Sequence, residues 1–210
     1  MSQPVLSLET AIARAQDLLA GAKDRIIIGI VGKPGSGKST LAKKILENLP
    51  KGDAALVPMD GYHLSNKVLE ELGRRDRKGA PDTFDARGYA ELLRSIKNSH
   101  EDIYYPIFHR EIEESIAAEG VVKVSTKLII TEGNYLLHES GGWQEVRPNL
   151  DESWYVEIDD SLRLERLISR HEKYGKSREA ATAWAQGSDE TNAQIVGQSA
   201  AKADYRIQVD

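Results

Sequence analysis

RIIIGIVGKPGSGKST, residues 25–40, is the stretch on which the reading of this chain turns. Arg25–Val31 is a short apolar run dominated by β-branched residues, the mark of a strand buried on both faces. Gly32, Lys33, Pro34, Gly35, Ser36, Gly37, Lys38, Ser39 and Thr40 then match G-x-x-x-x-G-K-[ST] in full. Glycines at those positions let the backbone wrap an anion with its N–H groups pointing inward. A helical pattern follows at Lys38–Leu49, and its N-terminal partial charge adds to the attraction. Strand, glycine turn and helix in that order are the context that separates a phosphate-binding loop from a chance glycine-rich turn.

Working outward, the same alternation recurs. Ala54–Met59, Leu128–Thr131, Trp154–Ile158 and Tyr205–Val209 read as further strands, with a small extra strand at Val121–Val124. Helical patterns lie at about 65–72, 86–98, 161–174, 177–186 and 189–202. A leading amphipathic helix is expected over 7–21, capped by Ser7 and stopped at Gly21. Strands alternating with helices indicate a parallel sheet covered on both faces. Segments 73–85 and 100–120 are the least regular. Ligands of open α/β sheets sit beyond the strand carboxyl ends, so substrate contacts are expected there.

The whole chain sets limits. Its 210 residues fit one domain, read as 1–210. There is no cysteine, which excludes disulfides, thiolate metal sites and a cysteine nucleophile and is compatible with a reducing cytoplasm. A net charge of −5 lacks the broad positive field of a non-specific nucleic-acid binder. The first twenty residues lack the basic start and apolar core of a signal peptide, and no apolar run approaches the length of a membrane span. No nucleic-acid or membrane partner is expected. A homodimer is the default assembly on frequency alone.

A phosphate loop binds nucleotide without choosing a reaction. In such a loop Lys38 reaches the β- and γ-phosphates of ATP and the Ser39 hydroxyl ligates Mg²⁺. A kinase also needs a carboxylate to take the acceptor hydroxyl's proton and an acidic group on the metal side. Asp60 and Glu132, each at the end of a strand expected to flank the loop strand, are the candidates. A lone acid after a strand is usually a turn or helix cap, so it is the pairing that carries the reading.

MDGYHL at 59–64, RKGAPDTFD at 77–85, TEGNYLL at 131–137 and RLISRH at 166–171, together with the phosphate loop, resemble the uridine kinase, phosphoribulokinase and type I pantothenate kinase superfamily. Fructose-transport-system kinases and proteins called nucleoside/nucleotide kinases are nearest in length and wording. The resemblance runs from about residue 25 to the C-terminus.

It implies an α/β/α sandwich of the P-loop NTPase type, with five parallel strands ordered 2-3-1-4-5 and a helical lid at about 161–188. It implies Asp60 as catalytic base and Glu132 as the acid of a Walker B-like element. RKGAPDTFD is closer to the pantothenate kinase form. Gly79 stands where uridine kinases carry a sugar-holding Asp, which counts against uridine. Tyr104–Arg110 resembles a Pro-Ile-Tyr-Asp element, with Phe108 and His109 in place of Tyr and Asp. His63, Lys78, Phe108, His109, Asn134 and Tyr135 are therefore the candidate acceptor contacts.

Residues 161–176 hold a basic cluster in an acidic chain. Arg166 and Arg170, four apart, share a helix face and suit a clamp on the transferred phosphoryl. Arg163 and Lys173 read as an ordinary solvated face, and Asp189–Asn192 as a cap or, as the resemblance implies, a nucleotide or lid contact. Trp143, Trp154 and Trp184 read as packing residues.

Three functions remain open. One is a metabolite kinase with a hydroxyl acceptor such as pantothenate, a nucleoside or a sugar. The others are an NTPase that transfers to water and a quiet nucleotide-binding partner. No N-K-x-D segment supports a GTPase, and the intact Lys38, Ser39, Asp60 and Glu132 set argues against a silent protein.

Overall fold

The computed structural model describes residues 3–208. Val209, expected in the last strand, lies outside them. The elements in chain order are β1 (Val5–Leu6), α1 (Leu8–Gly21), β2 (Ile26–Gly32), α2 (Lys38–Glu47), β3 (Ala54–Pro58), α3 (Asn66–Glu71), α4 (Ala86–Asn98), β4 (Ile103–His109), β5 (Glu114–Val122), β6 (Leu128–Gly133), β7 (Glu152–Glu157), α5 (Asp160–Lys173), α6 (Arg178–Gln186), α7 (Ser188–Gly197) and β8 (Tyr205–Gln208).

Six parallel strands form the central sheet in the order β1-β8-β7-β2-β6-β3. The five expected strands stand in the expected order, and the expected count of five is corrected to six. The sixth, β1, pairs Val5 with Arg206 and Leu6 with Ile207. Two residues are too few to carry a period, so nothing in the sequence marked it. Asp60's position is also corrected. β3 pairs with β6 rather than with β2, so Asp60 follows a strand once removed from the phosphate-loop strand.

The alternation within β2 builds two cores. Ile28 and Ile30 pack with Ala11, Ala15, Leu41, Ile45 and Trp154 under α1 and α2. Ile27 and Val31 face the opposite layer, with Tyr89 and Leu93 of α4 and Trp143. Helices on both faces explain why these strands are continuous apolar runs. Ser7 caps α1 as expected, accepting from Thr10 N–H at 3.3 Å. Helix α7 stops at Gly197, short of the expected 202; the chain continues into a 3₁₀ turn at Ala200–Lys202. Among the described residues no helix is long and apolar enough to cross a membrane.

The stretch 100–120, expected to be irregular, is an antiparallel hairpin of β4 and β5, and the small strand expected at 121–124 is the end of β5. Pro106 hides it in the sequence. A proline supplies no N–H to the ladder, and the register shifts between Tyr105 and Ile107 as the strand passes it. The Tyr105 hydroxyl donates to the Leu56 carbonyl at 2.9 Å, joining the hairpin to β3.

The hairpin closes over the turn that carries Asp60 because residue 61 has no side chain. A Cβ on Gly61 would stand 2.1 Å from the Pro106 carbonyl oxygen. Gly61 is absent from the glycines with positive φ, so close approach is what requires it. Gly61→Ala should destabilise the fold by about 1–3 kcal/mol, the usual cost of forced overpacking. At this chain length that lowers Tm by about 2–4 °C per kcal/mol. A thermal melt reads it, and an unchanged Tm would mean that the hairpin yields freely.

Candidate active site

β2 ends at Gly32 and α2 begins at Lys38, so the phosphate loop bridges a strand end and a helix start. Gly37 is the N-cap at φ +89°, a conformation that favours glycine, and no side chain caps the helix. The first amides of α2 are thus left for another acceptor. Lys38 is buried, and its ammonium donates to the Gly32 and Lys33 carbonyls at 2.9 and 3.1 Å. Burial pushes it down to about 8, against the pull of the Glu132 and Asp60 carboxylates. The Ser36 hydroxyl is buried with no hydrogen-bond partner among the described residues. An uncapped helix start, a desolvated ammonium and an orphaned hydroxyl are what a polyphosphate would satisfy, so the loop fits ATP.

The fit extends to the metal. Ser39 Oγ donates to Glu132 Oε1 at 2.7 Å, joining α2 to the end of β6. Burial raises the Glu132 carboxyl, and the neighbouring Asp60 carboxylate raises it further. A hydroxyl beside a crowded carboxylate is a hard oxygen donor set of the kind Mg²⁺ takes.

Asp60 lies in the short 3₁₀ turn Met59–Tyr62 that follows β3. Burial alone would raise its carboxyl. Arg110, His63, Lys38 and Arg170 together hold it below its ordinary value. Arg110 is the direct partner, with Nη2 2.6 Å from Asp60 Oδ2. Sequence reading missed it. The one available signal was its place directly after the Phe108-His109 pair.

These groups open onto a cavity of about 710 Å³. One wall is aromatic: the His63 ring stacks on Phe84 at 3.9 Å and meets Phe108 at 4.7 Å. Burial pushes His63 down to about 4, so it is neutral near pH 7. Asn134 lines the cavity. Lys78 lines it too, but its ammonium is engaged with Asn66 Oδ1 at 2.7 Å and with the Glu113 carbonyl.

Two expected contacts lie elsewhere. His109 pairs with Glu119 across the hairpin at 2.6 Å and does not line the cavity, because side chains alternate along β4 and Phe108 takes the inward position. Tyr135 is buried behind the wall; its hydroxyl donates to the Gly79 carbonyl at 2.5 Å and its ring packs on Phe84 and Trp143. Its apolar ring and single satisfied hydroxyl make it a prop for the Gly79 turn.

Helix α5 crosses the phosphate loop. Arg166 Nη1 stands 3.7 Å from where a Cβ on Gly37 would sit, and Arg170 lines the cavity. Lys33 pairs with Asp160 at 2.9 Å, and Thr40 is exposed. Arg163 corrects the sequence reading. It is fully buried, pairs with Asp160 and Glu190 at 2.7 and 2.5 Å, and reaches the Pro34 carbonyl at 3.4 Å. It ties α5 and α7 to the loop. His171 and Asp189 pair at 2.7 Å on the cavity wall, so the 189–192 segment contributes to the cleft as well as starting a helix. Trp184, read as packing, also lines the cavity, with the Lys176 ammonium 4.6 Å over its ring.

Comparison with known proteins agrees with this geometry. Residues 27–210 match the model of the Phosphoribulokinase / Uridine kinase family. A Schizosaccharomyces pombe protein provisionally named uridine kinase C227.14 is 34% identical over 179 residues, 80% of this chain and 74% of that one. The uncharacterized Escherichia coli protein YggC is 32% identical over 190 residues, 88% of this chain and 78% of its own. The crystal structure of a Silicibacter sp. TM1040 protein, provisionally named a fructose transport system kinase, superposes with a TM-score of 0.82. It is 36% identical and covers 93% of this chain and 97% of that one. By sequence and by architecture, this chain belongs to the phosphoribulokinase and uridine kinase family.

Proposed function

We propose that this protein transfers the γ-phosphoryl group of ATP to a hydroxyl of a small metabolite. One observation carries the reading. Lys38, the Ser39–Glu132 pair and Asp60 open onto a single cavity with an aromatic wall opposite, which leaves room for an acceptor beside the nucleotide loop. A protein that only hydrolysed nucleotide would have no use for that wall.

Bound ATP with Mg²⁺ supplies the phosphoryl group and neutralises part of its charge. Lys38 would exchange its two carbonyl partners for phosphate oxygens. Ser39 and Glu132 would hold the metal, directly or through its water. Asp60 would orient the acceptor hydroxyl and take its proton. Arg166 and Arg170, on the proposed lid of α5 and α6, would sit over the charge that develops on the transferred group. His63, Phe84 and Phe108 would pack the acceptor's carbon skeleton and exclude water. The setting we propose is the cytoplasm, where ATP and Mg²⁺ are supplied. A glycine at position 79 favours an acceptor other than uridine.

The deciding experiment compares ADP release with and without a panel of hydroxylated metabolites. Strong acceptor stimulation is expected; an equal rate with water alone would favour the NTPase alternative. Asp60→Asn should keep ATP·Mg²⁺ affinity within a few-fold by calorimetry and lose about 10²–10⁴ in acceptor-dependent rate. Normal turnover would place the base elsewhere. Glu132→Gln should instead raise the Mg²⁺ concentration needed for half-maximal rate, read by metal titration. Arg170→Ala should lower kcat more than it weakens ATP binding, because a clamp on developing charge acts in the transition state. A change confined to affinity would remove Arg170 from that role.

A further inference from the structure

The Asp60–Arg110 pair poses a problem for the proposed reaction, and its solution constrains the acceptor. The Arg110 guanidinium already occupies one oxygen of the carboxylate that the acceptor must use. During transfer the acceptor oxygen bonds to the γ-phosphorus, the bond from that phosphorus to the β,γ-bridging oxygen breaks, and ADP leaves with the electron pair. The hydroxyl proton passes to Asp60. At that moment Asp60 becomes neutral and Arg110 loses its counter-charge. The Arg110 side chain is 37% exposed, so water offsets part of the cost, but the guanidinium is left without its direct partner. Arg170 faces the same cavity, and its like charge makes the loss worse.

The protein offers Arg110 little in exchange. Asp189 is held by His171 at 2.7 Å, and Glu132 accepts from Ser39 at 2.7 Å. Glu113 is flanked by Arg75 and Lys78, each at 3.9 Å. Glu111, the next residue along the chain, is the alternative a neutral acceptor would force Arg110 to use. Arg110 also sits at the mouth of the aromatic wall, its guanidinium carbon 6.0 Å from the Phe108 ring centre. A group bound against that wall lies within its reach.

We infer that the acceptor carries an oxyanion beside the phosphorylated hydroxyl, and that this oxyanion takes Arg110 from Asp60. The inference rests on the kinase reading and deepens it by naming the substrate class as hydroxy acids or sugar phosphates. Arg110 becomes a specificity residue. It seals the base while the acceptor site is empty and releases it to an anionic acceptor.

The test uses matched acceptors that differ only in the anionic group: glycerate against glycerol, pantothenate against pantothenyl alcohol, and ribose 5-phosphate against ribose. In the unaltered protein kcat/KM should favour at least one anionic member by about ten- to hundredfold, the worth of one charge-assisted hydrogen bond. The pair that responds separates a carboxylate from a phosphate. In Arg110→Gln, checked for folding by its melting curve, that preference should collapse toward unity. In Arg110→Lys it should return in part. Equal use of the anionic and neutral members by the unaltered protein, or a preference that survives in Arg110→Gln, overturns this inference and leaves the kinase reading standing. If no acceptor of either kind stimulates ADP release, the kinase reading falls and takes the inference with it.

Discussion

The parallel pairing of β2 with β6 is the constraint on which the site depends. Its register sets Ile30 opposite Glu132 and Val31 opposite Gly133, so β6, lying beside the strand that feeds the phosphate loop, delivers a carboxylate to the start of α2. The Ser39–Glu132 hydrogen bond follows from that register. A slip of one residue would turn every side chain of β6 to the other face and replace Glu132 with Thr131 or Gly133. The apolar side chains of β2 and β6, locked between helices on both faces, prevent the slip.

The rest of the cavity is built by elements that lean on this frame. The hairpin of β4 and β5 stands outside the main sheet, yet it closes over β3 through the Tyr105–Leu56 hydrogen bond and the close passage of Pro106 over Gly61. That closure carries Phe108 and Arg110 to Asp60. On the other side, buried Arg163 fastens α5 and α7 to the loop backbone at Pro34, which fixes where Arg166 and Arg170 start from. The phosphate loop is thus framed by the central sheet, and the aromatic wall by the hairpin and the turns packed against it.

Charge is distributed in the same sense. Lys38, Glu132 and Asp60 are each shifted by burial and by one another, and the cluster is balanced only while Arg110 attends Asp60. Introducing phosphates and a metal changes the count on the nucleotide side; neutralising Asp60 changes it on the acceptor side.

The family resemblance implied the order of the five strands; the phosphate loop, the parallel α/β class and the candidacy of Asp60 and Glu132 were legible in the residues themselves. These are local or periodic signals. A glycine loop needs its residues at fixed spacing, and a doubly covered strand must be continuously apolar. Tertiary structure alone decided the two-residue β1, the hairpin concealed by Pro106, the prop made by Tyr135, the outward turn of His109 and the partnership of Arg110 with Asp60. Each depends on contacts between residues far apart in the chain, or on which face of a strand meets the cavity. Arg163 shows the difference most sharply. In sequence it is one more charge on a basic helix; in the fold it is completely buried, because Asp160, Glu190 and the Pro34 carbonyl converge on it from three separate segments.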